Sequence, residues 1–477
     1  MDAKYKRLGE NTFFIFVGKV GSSLIGLIML PFYTSWLTPD EYGKVDVIYT
    51  YASIALGVLT CCLADAMFVY PKNAGESARK KYYSSGLLFV GCITVLCASL
   101  IGVWKLIALQ SGYTNALISD SYFVLFFMLS MFLQNYTQQF SLSIGKVFVF
   151  SMTGVVLTLF TALSALLLIP TWGTNGYLLS LIVSNCLAAL FSFITSKSYK
   201  YFSLFSFDKT ALRQLLAYGM PLVPNGIMWW LVNGLNRPVL EEYLGLSAVG
   251  LYAVANKFPN MLTVLCTVFS NAWGISVLEE FGKKDFNIFF NKSFKIIFFI
   301  LVIIGSFISI FSQLIIRIFA SNEFLDAWRL LPILVLSIIF SNASGLVGCV
   351  FMGERKSKYF FYSSLWGGVT SIILTFVLIR IFGLFGACIA VACSFLCMWV
   401  VRMAYAWRFI NQFDISYYIL MISLYILLSF IVVLNLNIYI CIILYSLIFL
   451  FFYILNKAHF SSVISIIDNA VRKYRKA

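Results

Sequence analysis

The sequence predicts an all-helical integral membrane protein with about fourteen transmembrane helices. Apolar residues make up 61% of the 477 residues and charged residues only 11%, whereas soluble domains are typically about 25% charged. The mean hydropathy is +0.92, and apolar windows of about twenty residues recur along the chain. No soluble fold buries this much apolar surface, so lipid must be the solvent for most of the chain.

The helices are placed where an apolar window is long enough to cross a bilayer, about twenty residues. The first window is longer than the apolar core of a signal peptide and is followed by no small-residue cleavage site, so it is assigned as a span. The predicted spans are residues 11–36, 44–70, 83–109, 120–144, 147–170, 176–196, 215–240, 248–275, 292–318, 328–352, 358–382, 384–409, 417–435 and 438–456.

Basic residues are distributed unequally between the loops on the two sides of the membrane. With the N-terminus placed in the cytoplasm, most of the 34 Lys and Arg residues fall on that side, among them Arg402 and Arg408. The opposite loops carry mainly acids, such as Glu241 and Glu242. The positive-inside rule therefore predicts a multi-pass protein of the cytoplasmic (inner) membrane with both termini cytoplasmic. It also accounts for the net charge of +15 without a nucleic-acid partner.

Residues that usually catalyse reactions or bind metals are scarce. The eleven cysteines lie in apolar segments, and Cys393 and Cys397 have no histidine or second cysteine pair beside them. His459 is the single histidine, and the loops are too short to form a domain outside the membrane. We therefore expect no enzyme activity, no metal and no cofactor.

The two halves of the sequence resemble each other. Pro31 and Gly43 match Pro238 and Gly250, in each case 207 residues later, where a helix ends at proline and the next opens at glycine. Two further matches follow at offsets of 210 and 208, between residues 172–176 and 382–386 and between Gly145 and Gly353. Three ordered matches at a nearly constant offset indicate an internal duplication.

The duplication predicts the domain organisation. Six spans separate the matching segments, so the repeats are parallel and form two pseudo-symmetric lobes with a cleft between them, suited to alternating access. The C-terminal tail is interpreted as an amphipathic helix on the inner leaflet, with a fraying basic tail as the alternative. The predicted domains are residues 1–200 (N-terminal six-helix lobe), 201–410 (C-terminal six-helix lobe), 411–456 (helices 13 and 14) and 457–477 (cytoplasmic amphipathic basic tail).

Charged residues inside apolar spans are costly and require a partner or a function. Lys257 lies about ten residues into the eighth span, near the membrane midplane. It is interpreted as a cavity-lining cation, with a buried structural pair as the alternative. Lys19 and Asp65 lie at similar heights in the first two spans and are candidates for an ion pair or for coupling. Asp46 and Arg237 lie near outer helix ends, where charged side chains either function or snorkel.

Several uncharged polar residues are also predicted within the spans. Gln134, Asn135 and Gln138 belong to a polar run in the fourth span that either lines a water-filled cavity or bonds to neighbouring helices. The cavity is the favoured interpretation. Asn225 and Asn233 accompany two prolines in the seventh span, where a bend either opens and closes or is static. Asn256, beside Lys257, is assigned to the same cavity.

A family resemblance becomes specific in residues 215–258. This stretch carries a Gly-x-Pro-x-x-Pro pattern that begins at Gly219, then the pair Asn236 and Arg237, a Val-Gly-x-Tyr turn and Lys257. These residues resemble the polysaccharide transporter family, with its Wzx-type O-antigen flippases, of the multidrug/oligosaccharidyl-lipid/polysaccharide (MOP) exporter superfamily. The resemblance covers about residues 10–410.

The resemblance implies a MATE-like fold and a flippase. Its substrate would be an undecaprenyl-diphosphate-linked oligosaccharide repeat unit of O-antigen, capsule or a related surface polysaccharide, moved from the inner to the outer leaflet. Lys257, Lys19 and Arg237 are the expected cations for the diphosphate. Implied partners are this lipid-linked oligosaccharide, membrane lipid, and the polymerase and chain-length regulator of the same pathway. Many relatives have Asp where this chain has Asn236, a departure that argues against proton coupling there.

Two alternatives stay open. A cation-coupled small-molecule exporter of the same superfamily would need buried carboxylates, for which Asp46 and Asp65 are the candidates. A membrane polysaccharide polymerase would need a large outer loop or a carboxylate cluster at the membrane interface, and the sequence shows neither.

Overall fold

The structure is a computed structural model, which describes residues 18–434 except 112–115, 355, 357 and 411–412, together with 442, 443, 445, 446 and 450. The described part of the chain is almost entirely helical and contains no β-strand, which confirms the predicted fold class. The tail 457–477 and most of the predicted last span, 438–456, lie outside the described residues.

Seventeen helices, α1 to α17, account for most of the described residues. Short 3-10 turns lie at Pro71–Asn73, Ser198–Tyr201, Leu204–Ser206, Met220–Leu222 and Asn322–Arg329. The helices are residues 18–28 (α1), Leu30–Trp36 (α2), Pro39–Leu59 (α3), Leu63–Val69 (α4), Glu76–Ser111 (α5), Ala116–Ser143 (α6), Val147–Thr195 (α7), Lys209–Gly219 (α8), Val223–Asn233 (α9), Asn236–Leu244 (α10), Leu246–Glu280 (α11), Phe286–Ile310 (α12), Ser312–Phe319 (α13), Leu331–Gly353 (α14), Lys358–Phe382 (α15), Leu384–Ala406 (α16) and Ile415–Val433 (α17).

The helices are long and apolar enough for a multi-pass membrane protein. Within the described residues, eight helices could each cross a bilayer, or nine if α3 and the bent segment after it form one span. The 49-residue segment α7 is two helices that meet at Gly173, where the backbone is not helical, and the Thr161 hydroxyl of the first donates to the Ser184 hydroxyl of the second at 2.8 Å. These two helices correspond to the predicted spans 147–170 and 176–196, each long enough to cross a bilayer. Every predicted span from 11–36 to 417–435 overlaps one or more of the helices.

The start of α3 is set by its sequence. Thr38 caps the helix, its hydroxyl accepting from the Glu41 amide while the Glu41 carboxylate accepts from the Thr38 amide, and Pro39 occupies the first turn. This reciprocal arrangement satisfies two otherwise unpaired amides. At the other end, Cys61 and Cys62 have positive φ angles of 50° and 51°, and the chain bends by 55° there.

The glycines of the predicted repeat share a positive φ angle at one of the three matched positions. Gly173, within α7, has φ 53° and ψ −129°, and Gly383, between α15 and α16, has φ 57° and ψ −130°. A Cβ at Gly176 would lie 2.0 Å from the Leu168 carbonyl oxygen, and one at Gly386 would lie 1.9 Å from that of Leu378. The equal geometry explains why both breaks carry Gly-x-x-Gly. Gly145 has a positive φ, whereas Gly353 does not.

Gly43 and Gly250 contact each other's helix reciprocally. A Cβ at Gly43 would lie 2.0 Å from the Leu246 carbonyl oxygen, and a Cβ at Gly250 would lie 2.0 Å from the Pro39 carbonyl oxygen. Leu246 and Pro39 hold equivalent places at the starts of α11 and α3. The first turns of these helices therefore approach closely only because both positions lack a side chain.

The chain divides into two compact units, Met1–Val254 with Phe319–Phe324, and Ala255–Ile318 with Leu325–Ala477. The predicted lobe boundary at residues 200 and 201 stays a prediction. In the second unit the core is strongly aromatic. Phenylalanines at every fourth position of α12, from Phe286 to Phe298, contact one another ring to ring, and Phe298 stacks on Trp399 and meets Tyr418 edge to face. Four-residue spacing places them on one helix face, which α16 and α17 cover.

Candidate substrate site

The first unit contains an ion pair between two of the charged residues singled out from the sequence. The Arg237 Nε lies 2.5 Å from the Asp46 carboxylate, and both side chains are largely buried, 14% and 18% exposed. Arg237 also donates to the Asn233 carbonyl and lies over the Tyr252 ring, 5.3 Å from its centroid. Three favourable partners therefore neutralise and orient this guanidinium.

The break between α9 and α10 positions Arg237. The Trp230 indole donates to the Thr50 carbonyl of α3 at 3.1 Å, and its ring covers Gly234, where a Cβ would lie 2.7 Å from the indole nitrogen. The turn after α9 is thus held against α3, which places Arg237 one helical turn beyond Asn233 and opposite Asp46.

A cavity of about 320 Å³ in the first unit is lined by the residues that follow this pair in the sequence, Val47 and Pro238, among others. Lys44 forms a salt bridge of 2.9 Å with Asp120 at its wall. Two more carboxylates, Glu241 and Glu242, also face it, and Tyr51 contributes a phenol. Burial and the neighbouring Glu242 charge raise the pKa of Glu241. The remaining lining residues are Ile48, Val124 and Leu246.

This cavity was not predicted as a site. Its acids appeared in the sequence only as charges of outer loops, because they come from two separate segments, α6 and α10, that the fold brings together. The sequence feature that could have indicated this cavity is that Glu241 and Glu242 lie one helical turn after Arg237. Carboxylates and a lysine on a partly apolar wall can exchange hydrogen bonds with hydroxyl groups, so the cavity suits a polar, uncharged or cationic group better than an anion.

Lys257 and Asn256 lie on α11 in the second unit. The Lys257 side chain is exposed and Asn256 is half-buried. Within the described part of the chain, no carboxylate lies within salt-bridge distance of Lys257. Its predicted role as a cavity cation stays a prediction.

Lys19 and Asp65 are also exposed, on α1 and α4 of the first unit. The salt bridges among the described residues do not join them. The ion pair suggested for these two residues is therefore not formed in this structure, and their roles in substrate binding or coupling stay predictions.

The polar run of α6 is tied into the helix packing. Gln134 is buried and donates to the Gln138 side chain at 2.7 Å, and Gln138 donates to the Phe150 carbonyl of α7 at 2.8 Å. Asn135 is half-buried. The hydrogen bonds account for the two glutamines as links between α6 and α7, and lining of a cavity stays a prediction for this group.

The two asparagines of α9 differ in their environment. Asn233 is exposed and donates to the Trp229 carbonyl at 2.9 Å. The Asn225 side-chain oxygen is buried and has no hydrogen-bond partner among the described residues. An unsatisfied buried oxygen is costly, which makes Asn225 a place where a polar ligand or water would be stabilising.

The placement of Arg402 in a cytoplasmic loop was wrong. Arg402 lies on α16 in the second unit and is 1% exposed. Its guanidinium donates to the Ser344 carbonyl and the Ser363 hydroxyl, both at 2.9 Å, and lies over the Phe360 ring. Arg402 therefore links α14, α15 and α16. Sequence counting missed this because a basic residue near a span end looks the same whether its side chain points in or out.

Comparison with known proteins identifies the family. A profile described as polysaccharide biosynthesis protein matches residues 8–273, and a MatE profile matches residues 227–377. Lsg locus putative protein 1 of Haemophilus influenzae is 22% identical over 269 residues, which cover 54% of this chain and 62% of that relative. The chain thus spans less than two thirds of the curated relative it matches.

Solved structures show the same fold. The lipid II flippase MurJ in its inward closed conformation superposes with a TM-score of 0.69 at 14% identity, over 94% of this chain and 98% of that one. An inward-facing multidrug resistance MATE family transporter of the MOP superfamily gives 0.62 at 13% identity, over 83% and 94%. The MATE-like fold predicted from the sequence is therefore confirmed. Since the profile described as polysaccharide biosynthesis protein matches more than half of the chain, this protein belongs to that family.

Proposed function

We propose that the protein is a flippase that moves undecaprenyl-diphosphate-linked oligosaccharide repeat units from the inner to the outer leaflet of the cytoplasmic membrane by alternating access. The family and the fold support a transporter or flippase. The observation that supports a lipid-linked substrate is that the predicted cations differ in whether a carboxylate neutralises them. Lys257 is exposed with no carboxylate partner among the described residues, whereas Asp46 already neutralises Arg237.

The diphosphate requires cations that are free to bind it. An exposed ammonium within an apolar helix is stable only where it meets water or an anion, which fits Lys257 and Lys19 as diphosphate ligands. Arg237 serves the same purpose only if Asp46 releases it, so we assign it first to holding α10 against α3. The lipid tail stays in the bilayer.

The oligosaccharide requires hydrogen-bonding groups. Each hydroxyl buried without a partner costs about 1–3 kcal/mol. The cavity lined by Lys44 and Asp120 also offers Glu241, Glu242 and Tyr51 as partners, and we propose that it receives sugar hydroxyls during transport. Membrane lipid, a polymerase and a chain-length regulator of the same pathway are the proposed partners.

A strain that lacks the protein tests the proposal. Lipid-linked oligosaccharide should accumulate in the inner leaflet, where an impermeant glycosidase or lectin added to intact spheroplasts does not reach it. Restoring the wild-type protein should make it accessible. Trapped material on the outer face would contradict the flippase and would point to a later step, such as polymerisation.

A cation-coupled small-molecule exporter remains the second candidate, because the cavity is acidic and would accept cationic compounds. The same strain distinguishes the two. An exporter predicts increased sensitivity to cationic dyes and drugs with normal lipid-linked oligosaccharide, and the flippase predicts the reverse.

A further inference from the structure

An apolar groove lies on the first unit, at the end of α7 that is predicted to be cytoplasmic. Its volume is about 260 Å³. The side chains lining it come from α5, α6, α7 and the segment that follows α7. They are Tyr83, Leu87, Leu133, Thr137, Cys186, Ala189, Leu190, Phe193 and Phe202. Apart from Thr137 and the Tyr83 phenol this lining is apolar, which suits a hydrocarbon chain.

Three lysines surround the end of α7 next to this groove. Lys146 donates to the carbonyls of Thr195 and Ser196 at 3.3 and 2.8 Å. Burial and the charges of Lys197 and Lys200 lower the pKa of Lys146. Among the described residues, none of them forms a salt bridge. Such an uncompensated cluster favours an anion.

The segment after α7 connects the lysines to the groove. Phe193 of the groove wall contacts Tyr199, whose ring centroid is 6.3 Å away, and Tyr199 lies between Lys197 and Lys200 in the sequence. Phe202 belongs to the groove itself. The cationic cluster and the apolar groove are therefore neighbouring parts of one surface.

Buried serines hold this segment in place. The Ser84 hydroxyl donates to the Tyr201 carbonyl and accepts from the Ser203 amide, at 3.1 and 3.0 Å. The Ser85 hydroxyl accepts from the Asp208 amide at 2.9 Å. While the backbone is fixed in this way, large apolar side chains point outward, with Phe205 fully exposed. Fixed, exposed aromatic side chains beside lysines are typical of a segment that enters a membrane interface.

We propose that this surface is a binding site for an anionic phospholipid of the inner leaflet, with one acyl chain in the groove and the phosphate at Lys146, Lys197 and Lys200. A phospholipid satisfies both parts at once, since the groove needs a hydrocarbon chain and the lysines need a negative charge. The exposed aromatic segment 199–207 lies at headgroup level.

Lipid binding to the purified full-length protein tests the site. The protein in detergent is titrated with dioleoyl phosphatidylglycerol or dioleoyl phosphatidylcholine, and bound lipid is counted by native mass spectrometry. The wild type should prefer phosphatidylglycerol. The variant Lys197→Gln/Lys200→Gln should lose roughly tenfold or more of that preference, the size expected for two lysines at an anionic surface. The matched control Lys283→Gln/Lys284→Gln removes two exposed lysines of another loop and should keep it.

A second variant tests the groove. Leu190 is half exposed, so Leu190→Trp fills the groove with little effect on folding, and it should reduce binding of both lipids. Equal retention of the two lipids by the wild type would overturn the proposal. If inorganic phosphate displaced the bound phosphatidylglycerol, the site would bind anions in general. If undecaprenyl phosphate displaced it at equal concentration, the site would bind the substrate lipid. Either result would also overturn the proposal of a phospholipid site. Binding is measured without transport, so the outcome is independent of the proposed flippase activity.

Discussion

Arg237 and Lys257 are twenty residues apart in the sequence and differ in almost every structural respect. Arg237 is largely buried, paired with Asp46 and stacked on Tyr252. Lys257 is exposed, and the described residues offer it no carboxylate. A motif that carries two cations therefore provides one that is already satisfied and one that is available. Under the proposed function, only the second has an uncompensated charge for the diphosphate.

Removing Lys257 should have the largest effect. Lys257→Ala should lower surface polysaccharide on the order of a hundredfold, since a hydrogen bond to a charged group is worth about 1.5–3 kcal/mol. Lys257→Arg should retain much of the activity. Polysaccharide is measured on gels, with the membrane-fraction level of each variant as the control. A normal polysaccharide yield from Lys257→Ala would show that this residue is not needed for transport. The difference in charge neutralisation between Lys257 and Arg237 would then have no functional meaning.

Breaking the Asp46–Arg237 pair should chiefly affect stability. Asp46→Asn leaves the guanidinium without its counter-ion and should lower the free energy of unfolding by roughly 2 kcal/mol. The double variant Asp46→Asn/Arg237→Gln should recover part of the loss, because no charge is then left unpaired. Thermal unfolding in detergent measures both. A double variant less stable than either single variant would show that the pair does more than compensate charge.

Arg402 can be compared with Arg237, because it is also a buried cation but its hydrogen-bond partners are neutral. Arg402→Met removes no carboxylate partner and keeps most of the side-chain volume, so it should cost only about 1 kcal/mol. The same unfolding assay applies. A loss larger than that of Asp46→Asn would mean that bonds to Ser344 and Ser363 hold this guanidinium more strongly than a carboxylate holds Arg237.

The Lys44–Asp120 pair should give the smallest effect. Lys44 is 32% exposed in this pair, and partly exposed ion pairs contribute about 1 kcal/mol or less. Lys44→Gln should therefore change stability by no more than that, and the change should disappear in about 1 M salt, where the screening length is near 3 Å. A salt-independent loss would show that the cavity wall depends on this lysine in another way.

The features that the sequence predicted are those encoded locally. The apolar windows predicted the helices because each span carries its own signal, and the matching glycines at 173 and 383 predicted breaks that the structure contains. The pairing of Asp46 with Arg237 could not be predicted from the sequence, since 191 positions separate the two residues and either side chain could also extend to the membrane surface. Glu241 and Asp120 meet in a cavity only through tertiary packing. Arg402 was misplaced because hydropathy reports position along a span and not the direction of a side chain.

The contact between Gly43 and Gly250 limits how motion of these helices can be observed. Each position is occupied by main chain from the other's first turn, so neither tolerates even a methyl group, and a cysteine carrying a spin label or fluorophore would force the turns apart. Reporters belong on neighbouring exposed positions such as Asp40 and Tyr243. A distance measured between labels there would record the natural separation of the start of α3 from the end of α10, next to the start of α11, instead of one created by the probe.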